Sequence, residues 1–322
     1  MSIAVFQKLL AIFLTVGVGF VAARAGWLGP RSNGGKAARL VSDLAFYVFV
    51  PALLFRTVVR LDFATLPWRT LLAFFVPAVG FALLSYAGFR RYGNVSPAAP
   101  ATRTVAVSFG NTVQLGIPMA AALFGEAGLA LHIAIVSLHA LVLLTLPTVL
   151  VELDLARAAH QSTLGSTLRT TLRNTLIHPV TLPVVAGGLW NATGLGLHPV
   201  ADETLAGLGQ AVVPVCLVLI GMTMAVYGVR GRIRTALVDS ALKLLVLPAL
   251  VLPVAHWGFG LSGMPLAVVV VLAGLPSGSN ALVFAQRYDT LVAEANATIV
   301  LSTTAFALTA SMWLGVLALL PG

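Results

Sequence analysis

Two strings in this sequence place small polar side chains beside glycine and proline within otherwise apolar stretches. One runs Ser108-Phe109-Gly110-Asn111-Thr112-Val113-Gln114-Leu115-Gly116-Ile117-Pro118, the other Ala273-Gly274-Leu275-Pro276-Ser277-Gly278-Ser279-Asn280. Proline lacks the amide donor and glycine weakens a helix, so each string predicts a break in a helical segment. A break frees amides where the following half-helix starts and carbonyls where the preceding one ends. Asn111, Thr112, Ser277, Ser279 and Asn280 are N-cap types that can orient those amides or bond a ligand themselves. With Gln114, Gly116, Pro118 and Pro276 they make up the candidate substrate-binding set. Half-helix N-termini carry the positive end of the helix dipole, which suits a carboxylate or another small anion. The freed carbonyls suit a cation. No Asp or Glu occurs between Asp62 and Glu126, or between Asp239 and Asp289. A cationic substrate and carboxylate-built sodium sites are therefore disfavoured, while a sodium site of carbonyls and hydroxyls remains open.

Other ionisable groups lie inside apolar stretches, where a charge is costly enough to count as a functional candidate. Asp43 follows Arg39 by one helical turn, so it either pairs locally or serves as a proton-coupling or gating carboxylate. Asp239 and Lys243 have the same spacing, which predicts a mutual pair with the lysine snorkelling outward. His132 and His139 are seven residues apart and share a helix face. They read as hydrogen-bonded partners of neighbouring helices, with His139 also a candidate for proton coupling. The single cysteine, Cys216, excludes an intrachain disulfide and a thiolate metal site. No HExxH or GxSxG string is present. Neither an enzyme nor a resident cofactor is expected, and H+ or Na+ would act only as a coupling ion.

These residues need elements that cross a bilayer. Hydrophobic residues make up 59% of the 322 and charged residues 9%, against roughly 25% charged in soluble domains. Mean hydropathy is +0.99. The net charge of +9 sits in short loops rather than in a patch, which excludes a nucleic-acid partner. At about 20 residues per span, apolar stretches occur at 3–23, 37–56, 66–88, 102–123, 127–151, 175–193, 204–228, 236–257, 263–286 and 294–319. The first reads as a span, not as a cleaved signal peptide. The prediction is an all-α integral membrane protein of ten transmembrane helices, with helices four and nine broken and crossing. Of the 19 Lys and Arg residues, fourteen fall in or beside odd-numbered loops and four in even loops or termini. That bias puts odd loops in the cytoplasm and both termini outside.

The halves of the chain echo one another. Val50-Pro51 recurs as Val213-Pro214, Val107 and Gly110 as Val271 and Gly274, and Ile135-Val136 as Ile299-Val300, all offset by 163 or 164 residues. Residues 1–151 and 175–322 thus read as five-helix repeats joined by a polar cytoplasmic linker, 152–174. Five spans per repeat inverts the second copy, a construction common in secondary transporters.

The string from Asn111 to Pro118 followed by Leu123-Phe124-Gly125, the string Leu275-Pro276-Ser277 with Val283 to Tyr288, and the run Phe46 to Leu54 together resemble the auxin efflux carrier family. The likeness runs from the first span to the last, and the short central linker is similar to bacterial members. The resemblance implies a fold related to bile-acid symporters, with a scaffold domain from helices 1, 2, 6 and 7. Helices 3–5 and 8–10 would form a moving transport domain. It further implies a substrate carboxylate beside Asn111 at the crossing, an elevator-type alternating access, and a homodimer. Ser277 stands where plant carriers carry glutamine, which points away from auxin. The expected protein is a plasma (inner) membrane carrier of small organic anions, with the lipid bilayer as its surroundings. A sodium-coupled bile-acid-type symporter is the second reading, and a membrane-embedded receptor or enzyme the third.

Overall fold

The computed structural model describes residues 3–27, 34–60, 67–92, 96–159, 181–227 and 233–320. Arg31, Asp62, Arg169, Arg173, Arg230 and Arg232 lie outside the described residues. Among the described residues, six helical stretches are long and apolar enough to cross a membrane: Lys36–Val59, Trp68–Tyr92, Gly116–Leu155, Pro199–Val226, Ile233–Gly258 and Val292–Ala318. Leu10–Ala25 and Gly263–Ala273 are shorter apolar helices. The chain is a multi-pass, all-helical membrane protein; among the described residues, the one β-type feature is an isolated antiparallel bridge between Gly110 and Ser277.

The helices in chain order are α1 (Ile3–Ala25), α2 (Gly34–Leu44), α3 (Val50–Val59), α4 (Trp68–Tyr92), α5 (Ala99–Ser108) and α6 (Gly116–Ala159), then α7 (Thr181–Ala192), α8 (Pro199–Gln210) and α9 (Val212–Tyr227). There follow α10 (Ile233–Ala241), α11 (Leu247–Pro253), α12 (Gly263–Ala273), α13 (Asn280–Arg287) and α14 (Val292–Ala318). Turns of π-helix at Ala45–Phe49 and Leu242–Val246 join α2 to α3 and α10 to α11. α6 is two helices that meet at a kink, since Gly125 adopts φ 67° and ψ −161°, a conformation open to glycine. It runs on to Ala159, so the first turns of the expected linker are helical. α4 shows why such elements need a bilayer. One face buries Leu71, Phe74, Ala78, Phe81 and Tyr86, while Leu72, Val76 and Leu84 on the other are exposed apolar side chains. A helix apolar all round is stable against lipid and not against water.

The chain forms two compact units, each drawing on both halves of the sequence. The first comprises Met1–Pro67, Thr112–Ser137 and Leu176–Gly228. Its core gathers Val50, Leu54, Val113, Ile117, Ile133, Val136, Val212 and Cys216. Here α1 and α9 meet backbone to backbone: a methyl group on Gly19 would overlap the Val218 carbonyl, and one on Gly221 would overlap that of Val16. Small residues at such contacts let membrane helices approach closely. At the end of α3, Asn191 Nδ2 donates to the carbonyl of Val59 at 2.7 Å. Asp202 accepts from Arg56 at 2.9 Å and from Arg60 at 2.5 Å.

The second unit comprises Trp68–Asn111, Leu138–Thr175 and Val229–Gly322. Side-chain bonds tie its helices at many levels. Tyr86 donates to Asp154 at 2.6 Å, and Arg90 and Arg157 each lie 3.3 Å from the same carboxylate. Tyr288, just beyond α13, donates to Glu152 at 2.9 Å. Burial and the Glu152 carboxylate push its phenol above the ordinary tyrosine value, so the donor proton is retained. Arg69 donates to the Phe259 carbonyl.

Candidate functional site

Both polar strings break their helices. α5 ends at Ser108 and helix resumes at Gly116; α12 ends at Ala273 and helix resumes at Asn280. Between those points the chain would expose unpaired amides and carbonyls at membrane depth, which is tolerable only if each finds a partner. In the second unit the strings satisfy one another. The Asn111 amide donates to the Pro276 carbonyl at 2.8 Å, and the Gly278 amide donates to the Phe109 carbonyl at 2.9 Å. Gly110 and Ser277 face each other between these two bonds. The crossing is therefore a two-bond antiparallel exchange of backbone, built from Phe109, Gly110 and Asn111 on one side and Pro276, Ser277 and Gly278 on the other.

Residue types follow from this geometry. A methyl group on Gly278 would lie 2.9 Å from the Gly110 carbonyl oxygen and 3.0 Å from the Phe109 ring, so only glycine fits without movement. Pro276 needs no amide partner, and its carbonyl is used. Ser277 is fully buried; its hydroxyl donates to the Ala106 carbonyl at 2.8 Å, and its amide donates to Ser302 Oγ at 3.1 Å. The donor that made Ser277 a candidate ligand is thus spent on the end of α5. Ser279 and Asn280 are half-buried at the start of α13, where Ser279 O accepts from the Val283 amide at 3.2 Å.

Asn111 is 8% exposed. The remaining candidates, Thr112, Gln114, Gly116 and Pro118, are buried and belong to the first unit. There His132 Nε2 lies 2.8 Å from the Thr112 carbonyl oxygen. An acceptor facing Nε2 fixes that nitrogen as the protonated one, and the bond pins the chain just beyond Asn111. His139, in the second unit, is 1% exposed with its ring 4.4 Å from that of Phe109 and 5.9 Å from that of Phe74. It stands directly behind the crossing. Asp43, by contrast, is exposed on α2 and makes no ion pair with Arg39 or any other described residue.

Two buried charges are arranged otherwise than their spacing suggests. Asp239 pairs with Arg103 of α5, at 2.5 Å to Nη2 and 3.3 Å to Nε, not with Lys243. The Arg103 guanidinium also lies 4.0 Å over the Phe89 ring. A planar fork that bonds both carboxylate oxygens is the stronger partner. Lys243 does not snorkel: it is 1% exposed, and its ammonium donates to the Ala273 carbonyl at 2.6 Å. The π-turn at Leu242–Val246 removes the α-helical register on which the expected pair depended. Trp313 of α14 donates to the Leu244 carbonyl of that turn at 2.8 Å. Nothing short of the folded unit reveals the Lys243–Ala273 bond; the one sequence signal was a lone lysine in an apolar run.

A family described as membrane transport protein matches residues 4–314 of the chain. A protein of Methanothermobacter thermautotrophicus described as an uncharacterized transporter is 23% identical over 309 residues, covering 95% of this chain and 96% of the relative.

Proposed function

Because the chain belongs to the membrane transport protein family, the family of the auxin efflux carriers, we propose that it is a secondary carrier of small organic anions, with carboxylates as the substrate class. The observation that carries this reading is the crossing of two broken helices, with backbone exchanged between Asn111 and Pro276, in a stretch of sequence free of acidic side chains. Unwound backbone at membrane depth is costly and is kept where a polar solute is handled. Asn111 supplies the amide side chain at that point, with Thr112 and Gln114 following it in sequence and Ser279 and Asn280 following Pro276. The start of α13, in the same unit as Asn111, supplies the positive end of a helix dipole.

The fold that serves this role is ten transmembrane helices in two inverted five-helix repeats, working by elevator-type alternating access. Support comes from the offset repeats and from the division into units. Helices of the first and second sequence halves are packed together within each unit, rather than each half folding alone. Both termini lie outside the cytoplasm, in the plasma (inner) membrane, on the bias of loop charge.

The test is binding. Purified wild-type protein should bind a small mono- or dicarboxylate in isothermal titration. Asn111→Ala should lose about tenfold or more in affinity, the effect of removing one hydrogen bond to a charged group, read on the protein that folds. Equal affinity in the two proteins would remove Asn111 from the site.

A further inference from the structure

The two broken helices end differently. Each first half leaves carbonyl oxygens without an intrahelical donor, and that end carries the negative pole of the dipole. On α5 the Ala106 carbonyl receives the neutral hydroxyl of Ser277. On α12 the Ala273 carbonyl receives the ammonium of Lys243, 2.6 Å away. α12 is Gly-Met-Pro-Leu-Ala-Val-Val-Val-Val-Leu-Ala, which has no side-chain donor of its own to cap that end.

Lys243 is an unusual choice for such a cap. The side chain is 1% exposed, within a membrane-spanning stretch, where a charge is retained for a function by default. Asp239, one turn earlier, is held by Arg103 and balances that charge instead. Among the described residues no ion pair contains Lys243. The position of the ammonium is nonetheless held from outside: Trp313 holds the π-turn that carries Lys243 through the Leu244 carbonyl, and the same indole packs against Gly274, the first residue of the break. One aromatic side chain thus fixes both the lysine's backbone and the terminus it caps.

We infer that Lys243 is a tethered cation at the carbonyl end of the broken helix, occupying the position a coupling metal ion would otherwise take. The inference rests on the reading of the protein as an anion carrier and deepens it. A carrier for anions needs positive charge near its crossing. Here the charge is covalently attached, so transport needs no Na+, and the carried carboxylate is balanced by a side chain that moves with its own unit.

The experiment compares wild type, Lys243→Met and Lys243→Arg. Carboxylate uptake is measured in proteoliposomes with NaCl or choline chloride outside, and melting of the purified proteins is measured in the same salts. Wild-type uptake and melting should be the same in both salts. Lys243→Met should lose about tenfold or more of its uptake in choline, on the scale of one lost charge-assisted hydrogen bond, and its melting temperature should rise on adding Na+ or Li+ as the bare carbonyls take a small cation. Lys243→Arg should keep most of the activity. Uptake by wild type that requires Na+, a wild-type melting point raised specifically by Na+, or full activity of Lys243→Met in choline would each overturn the inference. Should Lys243→Met not fold, the wild-type salt comparison still decides. Absence of any carboxylate uptake by wild type would strike the anion-carrier reading instead, and the melting arm would then judge Lys243 separately.

Discussion

Ser277 and Asn111 lie on opposite strands of the crossing, yet the structure gives them different work. The Ser277 hydroxyl is buried and donates to Ala106. Ser277→Ala leaves that carbonyl unpaired and should lower stability by about 1–3 kcal/mol, read as a drop in melting temperature, with carboxylate affinity little changed for the protein that folds. Asn111 spends its backbone amide on Pro276, and its side chain is the group proposed to meet the ligand, so its truncation should lower affinity in the protein that folds. Both residues were legible in the sequence as N-cap types beside glycine and proline. Their division of labour was not, because it depends on Ala106 and Ser302, 171 and 25 residues away from Ser277. Lys243 was visible as a lone charge, but local spacing paired it with Asp239; a guanidinium 136 residues distant from that carboxylate won it instead.

At the scale of elements, the breaks themselves were readable, since glycine, proline and small polar residues interrupt a helix by local physics alone. How the broken ends satisfy one another was not, because the exchange of amides between Phe109–Asn111 and Pro276–Gly278 joins residues far apart in sequence. Gly278→Val tests that exchange. A side chain there meets the Gly110 carbonyl and the Phe109 ring, and overpacking of this kind costs about 1–3 kcal/mol. The expected outcome is a lower melting temperature together with loss of uptake; wild-type behaviour would show the crossing to be more yielding than its geometry implies. The close approach of α1 to α9 makes a parallel case in the first unit. Gly221→Leu drives a side chain into the Val16 carbonyl and should reduce the yield of folded protein, while the same substitution at Gly17, which has open space around it, should be tolerated. Close glycine contacts of this sort leave no periodic signal in an all-apolar run, so the sequence did not mark them.

For the whole molecule, composition established the class and the charge pattern predicted the orientation. The lone cysteine makes the latter easy to test. In a Cys216→Ala background, cysteine at Ser2 should react with a membrane-impermeant maleimide on intact cells, and cysteine at Ser166 only after permeabilisation; the reverse pattern would invert the topology. The interleaving of both sequence halves in each compact unit was not legible in composition, which divides the chain at its polar linker because packing partners are not written locally; only the family resemblance, with its scaffold from helices 1, 2, 6 and 7, implied units of that kind. The most direct test of the account is accumulation of labelled mono- and dicarboxylates in sealed proteoliposomes, with and without a pH gradient. The account predicts that wild-type protein accumulates at least one of them above protein-free vesicles, and that Asn111→Ala at equal incorporation does not. Accumulation of none, or equal accumulation by both proteins, would contradict it.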